Sequence, residues 1–129
     1  MKTTSAPAAA PAAADILQTM RDDIAWLDSA IDGAMRTLSS HGWVITVHGL
    51  PVGLDTDEAH RITGVHVYGW RGRYSRLTRD DAQRIAPTIT NGAGDRGEAF
   101  PYVVALENTR RQSVATLAWV EAELAKRAA

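Results

Sequence analysis

Residues 17–38 read LQTMRDDIAWLDSAIDGAMRTL. Leu17, Met20, Ile24, Leu27, Ile31, Ala34 and Leu38 recur at alternating three- and four-residue steps, the a and d positions of a heptad. Such a stripe specifies one long helix with an apolar seam that docks on another helix. The same spacing serves a helix packed inside its own chain and a helix shared between two chains. Ile16, Trp26 and Met35 widen the stripe, which suits packing on a sheet as well as on a helix. Asp15 is a suitable N-cap, and Gln18 three residues on completes a capping-box-like pair. The helix is therefore expected over about 16–40, with Gly42 as its C′ stop. Ahead of it, residues 1–14 form an Ala/Pro-rich tract expected as a disordered arm. Pro7 and Pro11 interrupt that tract, so it lacks the continuous apolar core of a secretory signal.

Beyond the seam the period changes from 3.6 to 2. Residues 43–48 (WVITVH) read as a strand. Residues 49–61, with Pro51, Gly53 and an acidic cluster, read as a loop. Residues 62–70 read as a second strand, with Val65 and Val67 on one face and His66, Tyr68 and Trp70 on the other. Trp43, Ile45 and Val47 are expected to join Val65 and Val67 on the buried face. Arg71-Gly72 suits a tight turn into a short third strand over 73–77. Thr78 and Asp81 make a capping box for a short helix that ends before Pro87. Residues 91–97 are a glycine-rich loop. Pro101 suits the first turn of a last helix reaching about Arg127, with a seam of Val103, Leu106, Leu117, Val120 and Leu124 interrupted by Arg110 and Ser113. The fold class is α+β, a single domain over 15–129. A long N-terminal helix, an antiparallel sheet of two or three strands, a short helix and a long C-terminal helix are expected, the long helices covering one sheet face.

The chain has 129 residues, a formal net charge of −1, no cysteine and only two lysines, Lys2 and Lys126. A near-neutral balance gives no overall polyelectrolyte signal for nucleic acid or an anionic membrane. The absence of cysteine excludes disulfides, thiolate nucleophiles and Cys-ligated zinc and fits a cytoplasmic protein. No stretch approaches the roughly 20 apolar residues of a membrane span, so no membrane partner is expected. Of the 45% hydrophobic residues, 22 are alanine, so the core is thin in large side chains and a shared interface would help it.

Letters that resemble catalytic motifs lack their context. Residues 92–97 (GAGDRG) fit G-x-G-x-x-G, but no strand–helix unit surrounds them, and a flexible loop is the expected role. Residues 57–60 (DEAH) spell a helicase motif with no phosphate-binding loop to serve. His41, His48, His60 and His66 show no zinc spacing, so neither metal nor cofactor is expected. No nucleophile elbow occurs, and no enzymatic activity is expected.

Charge is uneven. Residues 15–58 carry a net −6 and residues 60–84 a net +4. In the basic stretch Trp70 and Tyr74 interleave with Arg71, Arg73 and Arg76. Arginines among aromatics serve protein hot spots and also single-stranded nucleic acid. The expected function is a small interaction module, an adaptor, inhibitor or assembly component, with a protein partner or a second copy of itself. Its expected contact face is His48, His66, Tyr68, Trp70, Arg71, Arg73 and Arg76, and its expected oligomer seam is the heptad from Leu17 to Leu38. A nucleic-acid-binding regulator using the 70–79 hairpin is the alternative.

Overall fold

The computed structural model describes residues 5–37 and 41–128. Helix α1 (Ser5–Arg36) is followed by β1 (Trp43–Val47), β2 (Leu50–Thr56), β3 (Ile62–Val67), α2 (Arg79–Ile85), a 3-10 turn (Ala86–Thr88), β4 (Glu98–Pro101) and α3 (Tyr102–Ala128). The sheet has four antiparallel strands in the order β3-β2-β1-β4. The architecture is α+β, with one or two strands more than expected.

Helix α1 starts eleven residues before Ile16, so residues 5–14 carry helical backbone where a disordered arm was expected, and Asp15 lies inside the helix. The cause is composition: alanine has the highest helix propensity of any residue. The helix ends at Arg36, and the last seam position, Leu38, lies outside the described residues.

Strand β1 is rich in β-branched residues, which favour an extended chain. It is joined to β2 by the two-residue turn His48-Gly49, both with positive φ (53° and 81°), as a type I′ hairpin turn demands. Register runs Val47↔Leu50 and Thr46↔Pro51. Strand β2 therefore occupies most of the stretch expected to be a loop. Pro51 is tolerated because its amide edge faces β3, where its carbonyl accepts from the Tyr68 amide at 2.8 Å, just past β3's end. Gly53 is required because the Tyr68 ring closes over it and the Arg73 carbonyl lies 3.0 Å from where a Cβ would sit.

β1 and β2 pair only next to their turn, then splay. Residues 73–77 fill the gap instead of forming a strand. Ser75 donates its amide to the Val52 carbonyl (3.1 Å) and its hydroxyl accepts from the Leu54 amide (2.9 Å). Leu77 and Trp43 exchange backbone bonds of 2.8 and 2.9 Å. Thr78 caps α2 as expected, accepting from the Asp81 amide. The DEAH letters build the β2–β3 turn: Asp57 Oδ1 accepts from the Ala59 and Arg61 amides, both at 2.9 Å.

Both faces of β1 are buried. Val44, with Phe100 beside it, packs with Leu27 and Ala34 of α1, Trp70, and Tyr102, Ala105 and Leu106 of α3. Ile45 and Val47 face the other way and pack with Val52, Ala82, Ile85, Ala86 and Ile89. The long helices thus cover one face and α2 the other. Val65 and Val67 lie on the α2 side but are 40% and 52% exposed. Their expected burial fails because the seven-residue α2 does not reach over β3.

Helices α1 and α3 pack on each other antiparallel. Arg21 pairs with Glu121 at 2.9 Å and Arg110 with Asp28, so ascending positions on α1 meet descending positions on α3. Leu27 and Leu106 are the buried residues furthest out along each helix. Beyond them the two helices run on as a stalk in which Leu17, Met20, Ile24, Leu117, Val120 and Leu124 are all half-buried.

Candidate functional site

The seven residues expected to form one contact face are spread over three parts of the molecule. His48 is in the β1–β2 turn, not on a strand face with His66. Its Nδ1 lies 3.7 Å from Asp95, and these two line, with Arg96 and Gln112, a cleft of about 740 Å³ between the turn, the glycine loop and α3. His66 projects from β3, its Nε2 2.7 Å from Asp55 Oδ2. Tyr68 lies against Gly53 and Gly72. Arg71 crosses to α1, where its guanidinium sits 5.0 Å above the Trp26 ring and 3.7 Å from Asp23. Arg73 is exposed.

Trp70 and Arg76 do come together, through Tyr74 and through Tyr102 and Thr109 of α3, which the sequence did not single out. Trp70 is 8% exposed. Its indole N–H donates to the Thr109 hydroxyl at 3.0 Å, and that hydroxyl lies 2.8 Å from the Gly49 carbonyl, its acceptor. The Trp70 ring meets Tyr74 and Tyr102 edge-on at 5.3 and 6.0 Å. Arg76 lies 3.9 Å above the Tyr102 ring, donates to the Tyr74 hydroxyl (3.3 Å) and to the His41 carbonyl (3.2 Å). His41 stacks on the far part of the same group, 4.9 Å from Tyr102. His41, Tyr74 and Tyr102 come from three separate stretches of chain, and no spacing in the sequence announces the cluster.

In this cluster Arg76 is the resident cation of its own aromatic box. The arrangement locks the 73–77 segment onto the start of α3. Burial, then the Tyr74 hydroxyl, push the Tyr102 phenol up to about 12 against the lowering influence of Arg76. A raised folded-state pKa means that this contribution to stability is complete below pH 10 and is lost as pH climbs from 10 through 12. Alkaline titration followed at 295 nm should show a phenol ionising near pH 12, and Tyr102→Phe should remove that phase; a Tyr102→Phe titration identical to the parent's would refute the assignment.

The glycine-rich loop is held by its own side chains. Asn91 Oδ1 accepts from the Ala93 and Asp95 amides at 2.9 Å each, and Gly97 donates to the Ile89 carbonyl at 2.8 Å. No helix opens inside it, so it has no helix N-terminus to offer a phosphate. Among the described residues, no group of three or more His, Asp or Glu side chains converges as a metal site would require, and no helix is long and apolar enough to cross a membrane.

The sequence matches no protein-family model, and neither curated proteins nor solved structures give a match to it.

Proposed function

We propose that this protein is a non-enzymatic interaction module that pairs with a second copy of itself through the α1–α3 stalk. One observation carries the reading: the heptad seam is filled by α3 of the same chain, yet in the stalk every apolar seam position stays half-buried. Trp119 (64% exposed), Ile16 (55%) and Val114 (40%) add further apolar surface there. The pair of helices leaves the flanks of this seam open, and a four-helix arrangement would cover them. The exposed side of a two-helix stalk measures roughly 20 Å by 30 Å, on the order of 600 Å² per copy. Doubled, that reaches the lower bound of a specific interface.

Charge supports a second copy as the occupant. Residues 15–36 of α1 carry five Asp against two Arg, while α3 carries four Lys and Arg against three Glu. A two-fold axis that sets α1 against the partner's α3 repeats between chains the pairing that Arg21–Glu121 and Arg110–Asp28 make within one. The arginines speak against the nucleic-acid alternative, since Arg71 and Arg76 are committed to Asp23, Trp26 and the tyrosine cluster. Phosphate binding needs free basic groups on one surface.

Light scattering coupled to size-exclusion chromatography tests the reading. The expected mass is twice the chain's 13.9 kDa, and Trp119→Glu should yield a folded monomer. A parent that runs as a monomer at 100 µM, or a Trp119→Glu variant that stays dimeric, overturns it. Absence of binding to single-stranded oligonucleotides at low salt is the accompanying expectation.

A further inference from the structure

We infer that Asn91–Gly92 is a self-modifying site: in the folded chain the Asn91 side chain loses ammonia through a cyclic imide, and the product unlatches the glycine-rich loop. Asparagine followed by glycine occurs once in the sequence; the other asparagine, Asn108, precedes Thr109 inside α3. The chemistry is intramolecular. The Gly92 backbone nitrogen attacks Asn91 Cγ, a new N–Cγ bond forms, and the tetrahedral carbon places its negative charge on Oδ1. The Cγ–Nδ2 bond then breaks, and ammonia leaves with the proton that the Gly92 nitrogen gave up. Water adds to one of the two imide carbonyls and reopens the five-membered ring, giving aspartate or isoaspartate. Glycine hinders this attack least, because it has no side chain beside the attacking nitrogen.

The loop prepares both reacting groups. Asn91 Oδ1 accepts from the Ala93 and Asp95 amides, each at 2.9 Å. Two backbone donors on the oxygen that takes up charge polarise the carbonyl as an oxyanion hole does. Asn91 Nδ2 donates to Asp95 Oδ2 at 3.0 Å, so Asp95 is a positioning residue that keeps the oxygen on the amides and the leaving nitrogen on the other side. The Gly92 amide makes no hydrogen bond among the described residues. Asn91 and Gly92 are both exposed, and a Cβ on Gly92 would meet nothing within 4 Å. The attack therefore breaks no hydrogen bond of the nucleophile and displaces no packed neighbour.

The product undoes the latch. In the aspartate form the atom facing Asp95 Oδ2 is a carboxylate oxygen, so a donor–acceptor pair becomes two like charges at hydrogen-bond range. His48 Nδ1 lies 3.7 Å from that Asp95 oxygen, but the ring is exposed and offsets little of the repulsion. Isoaspartate lengthens the main chain by one methylene between two backbone bonds, Asn91 amide to Asp95 carbonyl (3.0 Å) and Gly94 amide to Asn91 carbonyl (3.1 Å). Either product loosens the turn that carries the chain from Ile89 into β4. The reaction needs only this chain and water, so it holds whether or not two copies pair.

The test ages the full chain at 37 °C and pH 7.4 beside a blocked peptide of residues 88–96, and follows both by mass spectrometry after digestion. The expected result is a one-dalton gain at residue 91, with Asn108 unchanged, at a rate in the folded chain no lower than in the peptide. Gly92→Ala, which the open space at that position accommodates, should slow the gain at least tenfold. In the aged protein the amides of residues 91 and 94 should exchange hydrogen at least threefold faster than in fresh protein. No gain at residue 91, a gain slower than the peptide's, an equal gain in Gly92→Ala, or unchanged exchange at residues 91 and 94 would each overturn the inference. Because the parent and peptide arms need no variant, misfolding of Gly92→Ala would not spare it.

Discussion

Leu106→Ala is expected to cost the folded chain about 2–5 kcal/mol, the largest loss of any single truncation considered. Leu106 is fully buried and joins α1, α3 and the sheet, touching the cluster of Leu27, Ala34, Val44, Trp70 and Tyr102. Its neighbours cannot easily close a cavity. Trp70 is tied to Thr109 and Tyr102 is stacked under Arg76, and Ala34 and Ala105 are too short to fill the space. The melting temperature should fall by roughly 10 °C or more for a chain of this size. Leu124→Ala removes the same atoms from a position half-buried within one chain, and in the monomeric Trp119→Glu background should cost about 1 kcal/mol. Urea unfolding of each variant against its own parent gives the comparison; equal losses would mean that the core does not centre on Leu106.

The second large effect lies in the glycine loop. Gly97→Ala is expected to destabilise the fold by about 1–3 kcal/mol through overpacking. A Cβ there would lie 2.7 Å from the Ala86 carbonyl oxygen, 3.0 Å from Ile45 Cγ2 and 3.3 Å from the Ile89 Cβ. None of these is the free end of a flexible side chain. Five residues earlier, a Cβ on Gly92 would meet nothing within 4 Å, and its φ is not positive. Gly92→Ala should therefore be neutral or stabilise by up to about 1 kcal/mol, through the unfolded chain. The opposite signs, read from thermal unfolding, distinguish a loop whose glycines serve packing from one whose glycines approach a ligand. Equal destabilisation by both would refute the packing role.

Those two sites also mark what could be read from the sequence. The heptad of α1 from Leu17 to Ala34, the Thr78 cap and the 3-4 seam of α3 all rest on local periodicity or capping chemistry, and all appear in the structure. Two strands did not announce themselves. Pro51 and Gly53 argue against a strand wherever both ladder edges need donors and side chains, but here Pro51's donor edge faces past the end of β3 and Gly53 makes room for Tyr68. β4 is too short for alternation to show, and Pro101, read as the first turn of α3, instead closes the strand before it. The burial of both β1 faces could not be read from an alternating pattern, because Trp43, Val44, Ile45 and Val47 are apolar on either side. For the contact face, residue types were informative but placement was not. Arg71 and Arg76 lie five positions apart, yet one reaches α1 and the other the start of α3, because the chain turns at Gly72, whose amide donates to the Gly69 carbonyl at 2.9 Å.

The pairing of β1 with β4 has a consequence for how the molecule is made. Trp43 meets Pro101 and Thr46 meets Glu98, partners separated by about 55 residues, so the central strand gains its second neighbour only through a long-range closure. A nascent chain can build α1, the β1–β2–β3 meander and α2 in order as they leave the ribosome. It cannot shield the far edge of β1, with its run of Val44, Ile45 and Val47, until residue 101 has emerged. The interval between those two events is when the growing chain is most exposed to pairing with a neighbour on the same message, and slow translation across residues 89–101 would lengthen it.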